Sequence, residues 1–406
     1  MPYDFSMPDY VKNALDIFEK SGFKAYLVGG CVRDQIMGKL PKDWDITTDA
    51  VPEQIMEIFP NSVPTGIKHG TVTLVFPEHK IIEATTFRID GDYSDFRRPE
   101  RVYFSKNIYD DLSRRDFTMN AIAYSLKEGM IDPFGGEADI NNKIIRCVGE
   151  PEKRFSEDAL RMMRAVRFSA VLDFELDPDV LQGINTLSHL LKNISAERIR
   201  DEFSKTIISE NPEKVYLFKS LNLIKYFLPE MDAVPDDVLK NILSDVRKLD
   251  NSIETRLAYL LYRFTGETNA VTKRLRYDNK TCRGVKSIAA CLNIAVPESE
   301  YAIRLMMADK LLKPGLLKSF KIRETVTPCS LVSQAIYKYN QIIKSNQCTD
   351  ISALAVNGHD LDKEGIKDGK EKGRILKILL EEVLKDPSLN THDKLTGIVR
   401  QMRRSG

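Results

Sequence analysis

The fold is decided by Leu27-Val28-Gly29-Gly30-Cys31-Val32-Arg33-Asp34 and by Asp43-Trp44-Asp45-Ile46, which follows a short way downstream. Residues two apart in a β-strand point to the same face of the sheet. If the second stretch is a strand, Asp43 and Asp45 project side by side. Two carboxylates so close repel each other unless a cation lies between them. Mg²⁺ is the expected cation, because carboxylates hold it together with substrate phosphates.

The glycine pair upstream predicts a place for those phosphates. Ala25–Val28 reads as a short buried strand that ends at Gly29 and Gly30, with a helix after it. Glycine lets the backbone approach a ligand closely, and the start of a helix favours anions. Arg33 would then reach a triphosphate. The alternative is a tight turn that serves packing alone. Only the combination of the glycine pair with the carboxylate pair indicates a nucleotide site.

A third carboxylate is expected for two-metal catalysis, and Glu83 is the best candidate. It lies in Ile81-Ile82-Glu83-Ala84-Thr85, which reads as a strand of the same domain. A charged side chain among apolar strand residues needs a partner. That partner is either a metal ion or a nearby arginine in a structural salt bridge.

A second group of polar residues is Arg114-Arg115-Asp116-Phe117-Thr118-Met119-Asn120-Ala121. Arg115 is suited to hold phosphate. Asp116 would either accept a hydrogen bond from a ribose hydroxyl or lock Arg115 in place. Asn120 would cap or fix the local backbone. Structural salt bridging is the alternative explanation for this string.

A third group places Asp158, Arg161, Arg164 and Arg167 three residues apart on a predicted helix. This spacing lines the side chains along one helix face, where the arginines repel unless anions or carboxylates face them. Asp158 accepts hydrogen bonds and Arg161 donates them, so the two side chains together match the hydrogen-bonding edge of a base. A solvated charged face is the alternative, but the apolar neighbours favour partial burial.

The composition limits the number of domains, the cellular compartment and the partners. The chain has 406 residues, of which 42% are hydrophobic and 29% charged, with a formal net charge of +1, so we expect two to four globular domains. A nucleic-acid partner would require a local basic surface. The six scattered cysteines form no C-x-x-C pair, and no apolar run is long enough to span a bilayer. We therefore expect a cytoplasmic protein without membrane contact.

The hydrophobic pattern predicts an α+β protein: an N-terminal mixed sheet with flanking helices, followed from about Gly149 by helices almost throughout. The apolar stripes of the helical part, such as the one from Ile375 to Leu384, are predicted core. The predicted elements of the first third are a helix around Val11–Phe18, a strand at Ala25–Val28, a helix from about Val32, a strand closed by Asp45–Thr47, a helix at Pro52–Phe59, and a hairpin of Thr71–Phe76 and Lys80–Phe87.

These motifs resemble the signatures of class II tRNA nucleotidyltransferases, in the polymerase-β-like nucleotidyltransferase superfamily. Gly29–Asp34 with Asp43–Ile46 resembles the head signature, Arg114–Thr118 the ribose-recognition motif, and Glu157–Arg161 the amino-acid template. Ser195–Phe203 resembles a motif of the neck, and Asn357–Leu361 resembles, more weakly, a motif of the tail. The resemblance implies a nucleotidyltransferase head at 1–148, a neck with the base pocket at 149–215, a body at 216–330 and a tRNA-binding tail at 331–406.

The resemblance also implies template-independent addition of CCA to the 3′ end of tRNA from CTP and ATP, with release of pyrophosphate. Asp43 and Asp45 would hold Mg²⁺, with Glu83 as the third catalytic carboxylate. The nucleotide-binding residues implied by the motifs, together with the predictions above, are Gly29, Gly30, Arg33, Arg115, Asp116, Asp158, Arg161, Arg164 and Arg167. The oligomeric state does not follow from any motif.

Two other readings stay open: a poly(A) polymerase of the same superfamily, and a non-catalytic tRNA-binding relative. Against the first, the basic signature after the head and the basic C-terminal extension of poly(A) polymerases are missing. Residues 92–102 resemble the flexible loop of relatives that finish with A. The five dispersed histidines argue against an appended metal-dependent phosphohydrolase domain.

Overall fold

The computed structural model describes residues 5–91 and 101–405. The chain divides into two compact units, Met1–Leu239 and Lys240–Gly406. Most of the loop predicted at residues 92–102 lies outside the described residues. Within the described ranges, no helix is long and apolar enough to cross a bilayer.

A seven-stranded mixed sheet organises the first unit, in the order β3-β4-β5-β2-β1-β8-β9. Strands β2 and β5 run parallel, and the other neighbours in this sheet are antiparallel. A two-stranded ribbon of β6 and β7 lies between β5 and β8 in the chain. The strands are β1 (Ala25–Val28), β2 (Asp45–Thr48), β3 (Ser62–Gly66), β4 (Thr71–Phe76), β5 (Lys80–Thr86), β6 (Arg88–Asp90), β7 (Val102–Phe104), β8 (Ala123–Ser125) and β9 (Gly129–Ile131).

Helices pack against both faces of this sheet, but over different strands. Helices α1 (Asp9–Lys20) and α3 (Pro52–Ile58) pack on the side where Ile46, Leu74 and Ile82 are buried. On the opposite side, α4 (Ile108–Ser113) joins the buried cluster over β1 and β8. The result is a sheet whose second face is covered over β1 and β8, while side chains on β3–β5 stay accessible.

The predicted head elements are confirmed with two local differences. The opening helix, the strand Ala25–Val28, the helix from Pro52 and the hairpin of β4 and β5 are all present. Helix α2 (Gly30–Ile36) starts two residues before the predicted start at Val32, because the chain enters the helix directly from Gly29 at φ +77°. Asp45 begins β2 and does not close it, so Asp43 precedes the strand.

The remainder of the first unit is mainly helical, as predicted, and continues to Leu239. Helix α7 (Leu160–Leu172) packs on α9 (Ala196–Ile207). The other elements are α5 (Gly136–Asn141), α6 (Pro151–Glu157), α8 (Pro178–Leu187), α10 (Tyr216–Ser220), α11 (Pro229–Asp232) and a short parallel pair of β10 (Ile144–Ile145) and β11 (Glu175–Leu176).

The described part of the second unit is helical. In α20 (Gly369–Lys385), Ile375, Leu379 and Val383 are buried, which confirms the predicted apolar stripe as core. The helices are α12 (Asp236–Lys248, which begins in the first unit), α13 (Ile253–Tyr262), α14 (Thr268–Arg274), α15 (Asn279–Leu292), α16 (Glu300–Ala308), α17 (Leu316–Val326), α18 (Ser330–Lys344), α19 (Gly358–Lys363), α20 and α21 (His392–Ser405).

Candidate active site

The carboxylate corner consists of Asp43, Asp45 and Glu83, at the start of β2 and on the neighbouring strand β5. Trp44 is buried, whereas Asp43 is exposed and Asp45 is half-buried. This alternation points the two aspartates away from the core that holds the indole. Although Asp43 precedes the strand, the predicted pairing of the two aspartates on one side is preserved. Asp43 is also close enough for its charge to raise the pKa of Asp45.

Glu83 stands directly beside Asp45 in the sheet. The two residues are register partners in the parallel pair of β2 and β5, and the Glu83 N–H donates to the carbonyl of Trp44. Burial, and after it the charge of Glu83, raises the pKa of Asp45 from 3.8 to about 6. The predicted repulsion between Asp43 and Asp45 contributes to this pKa, but Glu83 contributes more, and a bound cation would relieve both repulsions.

A cavity of about 210 Å³ opens in front of this corner. Asp45 and Glu83 form part of its lining, and Arg114 and Arg115 form another part. Within residues 5–91 and 101–405, no cation lies at salt-bridge distance from the three carboxylates of the corner. The alternative of a structural salt bridge for Glu83 thus finds no partner there. Carboxylates and guanidinium groups that share one cavity suit a ligand with both a metal ion and phosphates.

Asp111 of α4 holds the cavity arginines. Its carboxylate is fully buried and accepts hydrogen bonds from Arg114 at 2.6 and 3.0 Å and from Arg115 at 2.9 Å. It also accepts a hydrogen bond from the hydroxyl of Thr47 at 3.2 Å. Burial alone would raise the pKa of Asp111, but Arg115 and then Arg114 outweigh it and keep the pKa below its usual value. The prediction that Asp116 could lock Arg115 is therefore wrong, because Asp111 does so from the preceding helical turn.

Gly29 and Gly30 lie where the sequence predicted, at the turn from β1 into α2. A Cβ atom on Gly29 would lie 3.2 Å from Nη1 of Arg115, so the bare backbone and the guanidinium meet here. Arg33 is largely buried and does not line the described cavity. Its guanidinium donates to Asp34 and, at 2.8 Å, to Oδ1 of Asn120. Contact between Arg33 and a triphosphate stays a prediction.

Asp116 and Asn120 connect the head to α7. Asn120 donates to Asp116 at 3.1 Å and accepts from Arg33, so it fixes side chains and not the local backbone. The second carboxylate oxygen of Asp116 accepts from Arg164 at 2.6 and 2.7 Å. Burial on its own would raise the pKa of Asp116, yet Arg164 and Asn120 hold it well below its usual range.

The arginine cluster of α7 (Arg161, Arg164 and Arg167) faces carboxylates, as its spacing predicted. Arg161 pairs with Glu157 at 2.6 Å and also donates to the carbonyl of Arg114, while Arg167 pairs with Glu202 of α9. Phe168 lies beneath the guanidinium groups of Arg33, Arg164 and Arg167, at 5.4, 5.3 and 3.8 Å from its ring centre. The solvated-face alternative is excluded for this helix, since each arginine has an internal partner.

Asp158 is placed differently from the prediction that joined it to Arg161. It lies at the C-cap of α6, outside α7, and both carboxylate oxygens accept from Arg198 of α9 at 2.7 and 3.2 Å. Asp158 and Arg161 remain neighbours through the backbone, where the Arg161 N–H donates to the Asp158 carbonyl. Recognition of a base by this pair stays a prediction.

Sequence reasoning assigned no role to several residues that hold the site together. Asp111 carried a usable signal, because it lies three and four residues before two arginines, the spacing of helical ion pairs. Phe168, Arg198 and Glu202 carried none, since their partners are 30 to 40 residues away or more, or are defined only by packing. Such contacts become visible only in the folded chain.

The corner has the chemistry of a divalent-metal site with few protein ligands. Within the described ranges, no group of three or more His, Cys, Asp and Glu side chains is arranged to hold a metal ion. Asp43 and Asp45 nevertheless fit, because Mg²⁺ is commonly bound by one or two carboxylates with substrate phosphates completing its shell. The placement of Asp43 and Asp45 on one side of the chain, with Glu83 beside Asp45 and a cavity in front, supports this fit.

Comparison with known families agrees with this geometry. A model described as "Poly A polymerase head domain" matches residues 25–146. A model described as "Probable RNA and SrmB- binding site of polymerase A" matches residues 173–234. A model for tRNA nucleotidyltransferase domain 2 matches residues 248–399. The fold and the site thus define a nucleotidyltransferase with a polymerase-type head.

Relatives that match this chain over nearly its full length identify the family within this class. The CCA-adding enzyme of Ligilactobacillus salivarius is 36% identical, with 93% of each chain covered. That of Lactobacillus helveticus is 34% identical over 96% of each chain. The crystal structure of the Bacillus stearothermophilus CCA-adding enzyme in complex with CTP superimposes with a TM-score of 0.82 at 32% identity, covering 98% of this chain and 100% of that one. The chain belongs to the family of class II CCA-adding enzymes.

Enzymes of this family are nucleotidyltransferases that act in tRNA processing and depend on a divalent metal. A Thermotoga maritima CCA-adding enzyme complexed with tRNA shares the fold, with a TM-score of 0.67 at 20% identity and coverage of 98% of this chain and 97% of that one. The predicted fold class is confirmed, as is the family to which the motifs were compared.

Proposed function

We propose that this chain adds C, C and A in turn to the 3′ end of tRNA, taking the nucleotides from CTP and ATP and releasing pyrophosphate. The observation that carries the proposal is the cavity that joins the carboxylates Asp45 and Glu83 to Arg114 and Arg115. Transfer of a nucleotidyl group requires a metal and a cationic triphosphate site side by side, because charge develops on the phosphoryl oxygens.

Asp43 and Asp45 are the residues that would hold Mg²⁺ in this proposal. When bound, the ion polarises the α-phosphate and favours ionisation of the attacking hydroxyl. Glu83 supplies a further negative charge beside Asp45 and belongs to the same catalytic group. Gly29 and Gly30 present backbone to the triphosphate, and Arg115, fixed by Asp111, neutralises its charge. Arg33 is assigned to the same end of the nucleotide.

The base pocket is assigned to the arginine cluster together with Asp116 and Asp158. Asp116 would accept from the ribose, with its second oxygen held by Arg164. Asp158 and Arg161 would meet the base edge, and for this Asp158 must exchange part of its pairing with Arg198. A site built from fixed donors and acceptors rejects a wrong base, because that base leaves buried polar groups unpaired.

The remaining assignments follow the family pattern. The head is proposed at residues 1–148, the neck at 149–215, the body at 216–330 and the tRNA-binding tail at 331–406. A cytoplasmic location is proposed with them. Contacts to tRNA should be mostly to phosphate and shape, and therefore salt-dependent.

One assay tests the activity. The purified full chain is incubated with Mg²⁺, with tRNA that lacks its CCA end, and with each labelled nucleotide alone and in combination. Addition of two C residues and then one A, with none on tRNA that already ends in CCA, is the expected result. A ladder of A residues on unrelated RNA from ATP alone would identify a poly(A) polymerase. No incorporation, although tRNA binds, would identify a non-catalytic relative.

A further inference from the structure

Thr47 is a fully buried threonine of β2, two residues after Asp45. Because side chains alternate along a strand, Thr47 and Asp45 point to the same face of the sheet. Thr85, the register partner of Thr47 on β5, lines the cavity in front of the carboxylate corner. A polar side chain buried this completely needs a hydrogen-bond partner, so the partners of Thr47 indicate its role.

The hydroxyl of Thr47 has two acceptors within reach. They are the carbonyl oxygen of Thr85 at 3.1 Å and Oδ2 of Asp111 at 3.2 Å. Burial would raise the pKa of Asp111, but Arg115 and Arg114 keep it below its usual value, so Asp111 is ionised. A hydroxyl carries one proton, and an ionised carboxylate accepts it more strongly than a carbonyl does. The proton of Thr47 is therefore directed to Asp111.

The oxygen of Asp111 that accepts from Thr47 also holds Arg115. Nη2 of Arg115 donates to Oδ2 at 2.9 Å, whereas Arg114 donates twice to the other oxygen, Oδ1. Nε of Arg115 is buried and has no hydrogen-bond partner among the residues that the structure describes. Thr47 and Arg115 thus meet at one atom, and the guanidinium keeps donors for a ligand.

Arg115 is near both halves of the site. A Cβ atom on Gly29 would lie 3.2 Å from its Nη1. Burial and then Glu83 raise the pKa of Asp45, and Arg115 acts against them by lowering it. Two residues of one strand, roughly 7 Å, separate Asp45 from Thr47. Strand β2 therefore carries both a carboxylate of the corner and the hydroxyl that contacts the anchor of Arg115.

We propose that Thr47 is a positioning residue: through Oδ2 of Asp111, it fixes the guanidinium of Arg115 relative to Asp45, where a metal-bound triphosphate requires it. This inference rests on the proposed function and adds a residue to its triphosphate site. Without the hydroxyl, Oδ2 has Arg115 as its remaining side-chain donor, and the buried carboxylate is less constrained. The positive charge stays in the site, but more freedom must be lost when phosphates bind.

Equilibrium binding to the full chain in Mg²⁺, measured by calorimetry without tRNA, tests the proposal. Thr47→Val nearly keeps the shape of the side chain and removes its hydroxyl. We expect Kd for CTP and Kd for inorganic tripolyphosphate each to rise about fivefold. Because tripolyphosphate has neither base nor ribose, equal losses assign the effect to the phosphate site. Thr47→Ser restores the hydroxyl and should return both Kd values to within about twofold of the natural chain.

Thr48→Val is the matched control. Thr48 is the next residue of the same strand, is equally buried, and donates its hydroxyl to the carbonyl of Lys24 at 2.7 Å. Its side chain points to the other face of the sheet, away from Asp111. This variant also loses one buried hydroxyl, but both Kd values should stay within about twofold of those of the natural chain.

Asp111→Asn tests the route by which Thr47 acts. Loss of this charge should raise Kd for tripolyphosphate about twentyfold, because two arginines lose their buried partner. Adding Thr47→Val to Asp111→Asn should then have little further effect, since the hydroxyl acts through that carboxylate. If Asp111→Asn fails to fold, the comparison of Thr47→Val with Thr47→Ser still decides the proposal.

The outcomes separate this inference from the function on which it rests. Unchanged Kd values in Thr47→Val, an equal loss in Thr48→Val, or no recovery in Thr47→Ser would overturn the positioning role and leave the proposed function standing. A full fivefold loss from Thr47→Val in the Asp111→Asn background would also overturn it. Failure of the unaltered chain to incorporate any nucleotide would instead overturn the function, and that assay does not depend on the binding measurements.

Discussion

The carboxylate corner and the arginine cluster are both charged and lie in the same unit, yet their charges are paired differently. In the cluster, Arg161, Arg164 and Arg167 each bond to a carboxylate of the chain. In the corner, the carboxylates lie side by side, and burial, with the charge of Glu83 after it, raises the pKa of Asp45 to about 6. Every arginine of the cluster has a carboxylate partner, whereas the carboxylates of the corner have no ion-pair partner within the described ranges.

This difference assigns separate tasks to the two regions. A fully paired cluster is preorganised, so a nucleotide must replace existing hydrogen bonds and only a base with matching groups does so without loss. An under-compensated corner binds a cation favourably, because the cation removes a repulsion that folding created. Selectivity is therefore expected to depend on the cluster, and turnover on the corner.

The largest expected effect comes from Asp45→Asn, which keeps the size of the side chain and removes its charge. Loss of a metal ligand should lower the rate of the first C addition by at least about 10³-fold, since metal stabilisation supplies several kcal/mol of the barrier reduction. Single-turnover incorporation with saturating tRNA and CTP measures it. Asp49→Asn is the matched control, since the Asp49 side chain accepts from the Lys24 N–H at the opposite end of β2 from the corner. Retained turnover in Asp45→Asn would contradict the metal role.

The next effect concerns base choice. Asp158→Ala removes a carboxylate whose two oxygens are held by Arg198, and we expect the preference for CTP and ATP over UTP and GTP to fall about 10²-fold. The ratio of kcat/KM values for the four nucleotides reports it. Asp201→Ala on the same helix as Arg198 serves as the control, because Asp201 is exposed and pairs only with its neighbour Arg200 in the described contacts. An unchanged preference would show that Asp158 does not read the base.

Asp45→Asn should also have a smaller effect on the free energy of unfolding, and this effect should depend on pH. The folded-state pKa of Asp45, about 6, lies above its ordinary 3.8, so between these values the folded protein binds more protons than the unfolded chain and stability falls as pH rises. In metal-free buffer, Asp45→Asn should therefore be more stable than the natural chain by about 2 kcal/mol at pH 8, and by much less at pH 4.

Denaturant unfolding of both proteins across this pH range, with EDTA present, measures that difference. Added Mg²⁺ should stabilise the natural chain more than Asp45→Asn, because the variant keeps only the Asp43 carboxylate of the proposed pair of ligands. A pH-independent difference between the two proteins would mean that folding does not raise the pKa of Asp45.

The smallest expected effect is that of Gly29→Ala. Both Gly29 and Gly22 have positive φ, at +77° and +83°, but only at Gly29 would a Cβ atom approach another residue, Arg115, within 3.2 Å. Each substitution should cost about 1 kcal/mol of stability from backbone conformation. Gly29→Ala should in addition raise KM for CTP a few-fold, and Gly22→Ala should not. Equal KM values for CTP in the two variants would show that Gly29 does not contribute to the triphosphate site.

Much of the head could be predicted because local patterns determined it. The strand at Ala25–Val28, the hairpin of β4 and β5, and the approach of Asp43 and Asp45 follow from hydrophobic runs, turn residues and the two-residue period of a strand. The start of α2 was missed by two residues, because the positive φ of Gly29 allows the helix to begin at once. Residue spacing also predicted that the arginines of α7 need carboxylates.

The amino-acid sequence by itself determined the α+β plan, the carboxylate pair, the glycine turn and the family to which the chain belongs, since each depends on residues close together in the chain. Only the tertiary structure decided that Asp111 and not Asp116 holds Arg115, that Asp158 pairs with Arg198, and that Phe168 underlies three arginines. It also decided that Val63, Val75 and Ile81 of β3–β5 stay exposed, although Leu74 and Ile82 on the other face are buried. Such pairings join side chains that are brought together by packing, and a buried charge takes whichever opposite charge the fold places within reach.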